Sequence, residues 1–234
     1  MKPKLGLFIA GTDTDVGKTY VTSLIAKSLV AAGHRVGVYK PVASGCSRVD
    51  GQLQADDAVA IWEAAGRPRS LNDVCPQAFE APLAPQLAAR AEGREIDEDL
   101  LFKGADVWGD DCDILLVEGV GGLMSPITDN LFVADIALEL GYPILVVAAN
   151  RIGVINQTLQ TVITAATFRD GLPTAGIILN DVQQPSDVDP SSNSNREQLE
   201  LHCVPPLLSH VAYRDKQIDA AVDWMEIAKA ELEV

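Results

Sequence analysis

Short, almost wholly apolar runs alternate with helically spaced ones along most of this 234-residue sequence. Leu5–Ala10, Arg35–Tyr39, Asp113–Val117, Pro143–Ala149 and Thr174–Leu179 read as strands. Pro143–Ala149 is so apolar that it belongs at the centre of a sheet, covered on both faces. Between strands, Val21, Leu24, Ile25, Leu29 and Val30 recur at helical spacing from Lys18 to Ala32, with Gly33 as the stop. Ala55–Ala65, Asp99–Val107, Phe132–Leu140 and Asn156–Arg169 read as further helices. A looser region, 67–97, holds a short helix around Pro85–Ala91, and an acidic amphipathic helix is expected at about 217–232. The polar stretch 183–195 reads as a mobile loop. This alternation predicts an α/β fold, a mostly parallel sheet with helices on both faces. No repeat or linker divides it, so one domain over 1–234 is expected.

Ligands of such sheets bind beyond the carboxyl ends of the strands, and the chemistry-bearing residues cluster there. Gly11-Thr12-Asp13-Thr14-Asp15-Val16-Gly17-Lys18-Thr19 lies between the first strand and the first long helix. A triphosphate site needs inward backbone N–H groups at a helix N-terminus, a Lys for the β/γ oxygens and a hydroxyl for Mg²⁺. Gly17-Lys18-Thr19 supplies these, although Gly11 sits one residue earlier than the standard pattern. The context is P-loop NTPase-like.

Mg²⁺ bound to a nucleotide is usually held by one or two carboxylates, phosphate oxygens and water. Glu118 follows a strand and opens Gly119-Val120-Gly121-Gly122, an unusual setting for a packing residue. Asp56-Asp57 opens a helix, where either carboxylate could serve a metal or simply favour the helix dipole. Lys40-Pro41-Val42-Ala43-Ser44-Gly45 ends another strand, so Lys40 could add a second positive charge and Ser44 a donor to a small anion.

The charge balance narrows the partners. With 33 Asp plus Glu against 18 Lys plus Arg, a net charge of −15 opposes binding to nucleic acid or to an anionic membrane. Phosphate must therefore be met locally, by Lys18, Lys40 and a bound cation. No apolar run is long enough for a membrane span or a secretory signal core, and Cys46, Cys75, Cys112 and Cys203 show no metal or CxxC spacing. A cytoplasmic protein with reduced thiols is the expectation.

Together, Gly11–Thr19, Lys40–Gly45, Asp57 and Val117–Gly122 resemble the dethiobiotin synthetases, ATP-dependent cyclo-ligases of biotin synthesis. The likeness spans roughly residues 5–181, including Asn180-Asp181, which fits the family's adenine-reading Asn. It implies a dimer using ATP, Mg²⁺, CO₂ and 7,8-diaminopelargonic acid, through a carbamate and a carbamic-phosphoric anhydride. It implies Lys18, Lys40 and Thr14 as catalytic residues, Gly11 to Thr19 with Asp57, Glu118 and Asn180 for Mg-ATP, and Thr19, Asp57 and Glu118 as the metal set. It selects Asp57 over Asp56, and it places Ser44 and Gly121 at the substrate. It also brings Gly153, Val154 and Asn156, at a helix start, to the substrate's carboxylate tail across the dimer. One departure stands out: Pro206–Ala212 lacks the Gly and second Pro that the family carries near the adenine.

Three other readings compete. A partitioning or metallochaperone ATPase switch of the same broad fold usually carries Lys-Gly-Gly ahead of Gly-Lys-Thr, where this chain has Thr12, Asp13 and Thr14. An amidotransferase-type cobyrinate synthetase would need a Cys with a His partner. An inactive nucleotide-binding module fits poorly with a complete catalytic set.

Overall fold

The computed structural model describes residues 1–184 and 189–229. Six parallel strands form the main sheet: β1 (Gly6–Gly11), β2 (Val36–Tyr39), β5 (Ile114–Gly122), β6 (Ile144–Ala149), β7 (Thr174–Asn180) and β8 (Leu207–Val211). Their order is β2-β5-β1-β6-β7-β8. The helices are α1 (Lys18–Ala31), α2 (Asp56–Ala64), α3 (Leu71–Val74), α4 (Pro85–Ala91), α5 (Glu98–Lys103), α6 (Val133–Leu140), α7 (Val154–Thr167), α8 (Asn195–His202) and α9 (Trp224–Lys229).

The chain leaves β1 through α1 towards one edge, whereas α6, α7 and α8 carry it towards the other. Right-handed crossovers in opposite directions lie on opposite faces of a sheet. The helices therefore cover both faces, as the alternation predicts. Every residue of β1, β2 and β6 is buried, and β1 and β6 are central. Leu7, Ile9, Leu115, Val117, Val146 and Ile178 are among the fully buried residues of the core. Complete burial of each such side chain contributes roughly 1.5–3 kcal/mol. No described helix is long and apolar enough to cross a membrane. All four cysteines are free thiols, three of them buried.

Several expected boundaries move. The stretch 118–122 is strand rather than loop, because β5 continues beside β1 with Gly11 opposite Gly122. Within it Gly121 adopts φ 67°, a conformation that favours glycine. The helix at Asp99–Val107 ends at Lys103 and tightens into a 3₁₀ helix over Gly104–Asp111, broken at Gly109. The last helix starts at Trp224, because Asp219 and Asp223 turn their carboxylates onto backbone N–H groups of Ala221 and Glu226 and hold turns before it. Residues 230–232 of that expectation lie outside the described residues.

Of the expected mobile loop, 185–188 also lie outside the described residues. Over 189–195 the chain is regular: Asp189 caps a 3₁₀ turn at Pro190–Asn193, and α8 begins at Asn195. The sequence reading also missed α3, α8 and the antiparallel hairpin of β3 (Ser47–Val49) and β4 (Gln52–Gln54). The centre of Pro206–Ala212, the segment that departs from the family pattern, is the edge strand β8.

Candidate functional site

A cleft of about 1060 Å³ opens at the carboxyl ends of the strands. Its phosphate-like wall begins where β1 turns into α1. Gly17, the N-cap, adopts φ 89°, and a Cβ there would overlap the Asn180 side-chain amide. Glycine is thus required both by backbone conformation and by space. The first turn of α1 has no capping side chain and no acidic residue. Its free N–H groups and positive dipole end face the loop, the arrangement that suits an anion.

Two lysines stand at this end. Lys18 is 7% exposed and its Nζ donates to the Asp13 carbonyl at 2.9 Å. Burial, reinforced by the nearby Lys40 ammonium, pushes its pKa down to about 8. Lys40, 2% exposed, donates to Glu118 Oε1 at 2.6 Å and pairs with Asp57 Oδ2 at 3.1 Å. Burial works to lower its pKa, but the Glu118 and Asp57 carboxylates outweigh that and hold it above its ordinary value. Asp57 is held below its ordinary value: burial works to raise it, while the charge and hydrogen bond of Lys40, with Thr19, prevail.

Thr19 Oγ1 donates to Glu118 Oε1 at 2.8 Å, so Thr19, Asp57, Glu118 and Lys40 form one cluster from four elements. Glu118 is 1% exposed, and its other oxygen, Oε2, is buried without a partner. An unpaired carboxylate oxygen is costly in a dry site, which makes it a ready cation ligand. Among the described residues no group of three or more His, Cys, Asp or Glu side chains is placed to hold a metal. Two carboxylates and a hydroxyl suit an ion that completes its shell with phosphate oxygens and water, as Mg²⁺ does.

The expected site residues divide into three groups. Thr14, Asp15, Gly17, Lys18, Thr19, Lys40, Ser44, Asp57, Gly121 and Asn180 line the cleft. Gly11, Thr12, Asp13 and Val16 shape the loop from behind, and Glu118 lies beneath the surface. Gly153, Val154 and Asn156, at the start of α7, lie outside the cleft of their own chain.

Sequence reasoning missed other parts of the wall. Pro82 and Leu83 form an apolar side, with Pro82 packed 3.6 Å from the position of a Gly45 Cβ. Ser125 turns its hydroxyl back to accept from the Gly122 N–H at 2.9 Å. Tyr213 and Arg214 close the far end, and Arg214 adds a third cationic side chain to the lining. Its signal was faint: a lone Arg just after the 206–212 segment, in a chain short of cations.

At that far end Asn180 Nδ2 donates to the Val16 carbonyl at 2.9 Å, tying β7 to the phosphate loop. Its Oδ1 is buried without a partner. An acceptor of this kind beside a cleft is suited to a ligand N–H.

Most of the chain is similar to known proteins. The AAA_26 family model, described as an AAA domain, matches residues 5–220. The ATP-dependent dethiobiotin synthetase BioD of Rhodopirellula baltica is 41% identical over 215 residues, covering 87% of this chain and 82% of its own. That of Thermodesulfovibrio yellowstonii is 37% identical over 236 residues, covering 96% and 97%. Among solved structures, the signal recognition particle receptor FtsY of Elizabethkingia anophelis aligns over 97% of this chain and 65% of its own, with TM-score 0.56 and 13% identity. The septum site-determining protein MinD of Pyrococcus horikoshii aligns over 89% and 81%, with TM-score 0.53 and 16% identity. Those two likenesses establish the P-loop NTPase fold alone, and the partition-type alternative gains nothing beyond fold from them. The chain belongs to the ATP-dependent dethiobiotin synthetase family.

Proposed function

We propose that this chain forms the ureido ring of dethiobiotin from 7,8-diaminopelargonic acid, CO₂ and ATP. One amine adds to CO₂ and loses a proton, giving a carbamate. A carbamate oxygen attacks the γ-phosphorus, the bond to the bridging β–γ oxygen breaks, and ADP leaves. The second amine then attacks the carbonyl carbon of the carbamic-phosphoric anhydride. The C–O bond breaks, phosphate departs, the attacking nitrogen loses its proton and the five-membered ring closes.

Positioning and charge neutralisation carry most of such catalysis. Lys18 and the N–H groups at the start of α1 hold the β- and γ-phosphate oxygens. Lys40 neutralises the charge that grows on the transferred phosphoryl group and the carbamate. Thr14, Ser44 and Gly121 line the space where the diamine and carbamate lie. Thr19, Asp57 and Glu118 would hold Mg²⁺, and bound there it would neutralise phosphate charge during transfer. Asn180 reads the base.

The observation that carries this reading is the convergence of Lys18, Lys40, Thr19 and Asp57 on one cleft, over a Glu118 with an unpaired buried oxygen. The test is to incubate the protein with the diamine, bicarbonate as the CO₂ source, and Mg-ATP, and to seek dethiobiotin by mass. ATP hydrolysis strictly dependent on diamine and CO₂ is expected. Hydrolysis without the diamine, with no product, would sink the reading.

The same reading includes a homodimer in which Gly153, Val154 and Asn156 meet the substrate tail of the partner. Their position outside their own cleft supports it, as do Ile152 and Ile163 on the same segment, 78% and 60% exposed. Light scattering should give twice the chain mass, and Ile152→Asp with Ile163→Asp should give a monomer of much reduced turnover.

A further inference from the structure

One buried polar cluster takes no part in the phosphate chemistry. It joins Asn150 after β6, Asp181 after β7, Asn195 at the start of α8 and His210 on β8. Asn150 Nδ2 donates to Asp181 Oδ1 at 2.7 Å, and the His210 ring Nε2 meets the same oxygen at 2.9 Å. A ring nitrogen bonded to a carboxylate oxygen carries the proton, so Nε2 is the donor. Asn195 Nδ2 donates to Asn150 Oδ1 at 2.9 Å and braces the arrangement from behind.

Asn150, Asp181 and Asn195 are 5%, 8% and 2% exposed. Holding a carboxylate nearly dry is costly, and a junction between these elements could be made from neutral groups alone. Asp181 also lines the cleft, and this gives its charge a use. Oδ1 is taken by two donors, whereas Oδ2 has no partner among the described residues and is not sealed from solvent. Asn180, which lines the same cleft, keeps its own Oδ1 unpartnered, and its amide cannot turn without losing the bond to Val16.

We propose that His210 is a positioning residue for nucleobase recognition. With Asn150 it pins Asp181 so that Oδ2, in the cleft that Asn180 also lines, accepts an N–H of an amino-bearing base. This rests on the nucleotide reading of the cleft given above. Fixed acceptors in the cleft favour adenine, which carries an amino group, over a base such as uracil, which presents carbonyls flanking its one N–H.

The test measures nucleotide binding on the full chain. A fluorescent N-methylanthraniloyl ADP is titrated directly, then competed with ATP, UTP and inorganic tripolyphosphate. His210→Ala and Asp181→Asn should each weaken ATP by about tenfold, the worth of one hydrogen bond to a charged group. Tripolyphosphate, which has no base, should stay within about twofold, and the preference for ATP over UTP should shrink. His210→Gln, whose amide can donate in place of the ring, should restore ATP to within about threefold. In turnover the loss should appear in KM for ATP, with kcat within about twofold.

Equal loss of ATP and tripolyphosphate would show a merely structural role and overturn the proposal, as would failure of His210→Gln to restore binding. If His210→Ala does not fold, Asp181→Asn, which keeps the Oδ1 acceptor and the side-chain shape, decides alone: unchanged ATP affinity overturns the idea. Absence of dethiobiotin with this binding pattern intact would count against the proposed reaction only. Normal product with an unaltered KM in these variants would count against His210 only.

Discussion

The two edges of the sheet are built differently, and each carries one end of the cleft. β2, at one edge, is buried along its whole length, and Lys40 follows it, held by its N–H to the Val74 carbonyl at 2.7 Å. β8, at the other edge, is only half-buried and carries His210. The Lys40 side is densely charged: its buried ammonium lies within hydrogen-bond reach of the buried Glu118 carboxylate and of Asp57, whose carboxylate opens to the cleft. The β8 side is a polar junction of amides, one carboxylate and one imidazole. Charge that must stabilise a transferred phosphoryl group gains strength from a water-poor setting. Recognition of a base needs only a few fixed donors and acceptors, so a largely neutral junction suffices.

This contrast is sharpest under substitution. Lys40→Ala, Asp57→Asn and Glu118→Ala should each lower kcat by roughly 10²-fold or more, the usual result of removing one preorganised charge partner. Lys40→Ala should also destabilise the fold by about 3–5 kcal/mol, because it strands the buried Glu118 carboxylate. Urea melts run beside the assays separate the two effects. Near-wild-type kcat in a folded Lys40→Ala protein would erase the distinction between the edges.

Next in size is Gly17→Ala, where strain at φ 89° meets overlap with the Asn180 amide. ATP affinity should fall by more than tenfold. Because the overlap is with Asn180, Asn180→Ala should relieve part of it, and the double variant should lose less than the product of the two single losses. Calorimetric titration of all three checks this, and strict additivity would mean that the two positions act independently. Asn180→Ala alone should raise KM for ATP by about tenfold while kcat stays within about threefold. The smallest effect is expected at Asp56→Asn. Asp56 is exposed and outside the cluster, so turnover should remain within about twofold of wild type. A large loss there would shift the metal role from its neighbour.

The Lys40 end was largely legible in the sequence because its parts are local. Gly17, Lys18 and Thr19 are consecutive, and Lys40 and Glu118 each follow an apolar run that reads as a strand. Asp57 could not be separated from Asp56 by spacing, since both open the same helix, and family resemblance was needed. The other end was scarcely legible. Leu207–Val211 is short and only partly buried, with Ser209 and His210 interrupting its apolar character, so nothing marks it as a strand. Its pairing with β7 is a long-range event. Asn195 sits inside a run of Ser and Asn that composition alone assigns to a loop, yet it is 2% exposed and hydrogen-bonded to Asn150. The strand through 118–122 was hidden for the opposite reason: its glycines signal a turn, yet the segment continues beside β1 with Gly121 at φ 67° inside it.

The parallel pairing of β8 with β7 carries a consequence for how the molecule breathes. Its bonds include the Ile177 N–H to the Pro206 carbonyl and the Asp181 N–H to that of Val211, and among the described residues only β7 borders this strand. A peripheral unit with few buried apolar residues can detach while the central strands stay intact. Amide hydrogens of α8 and β8 should therefore exchange with solvent by local opening, well before those of β1 and β6. A nucleotide whose base is held by Asp181, itself bonded to His210 of β8, would fasten this flap to the centre, and slowed exchange confined to 195–211 would be the footprint of its arrival.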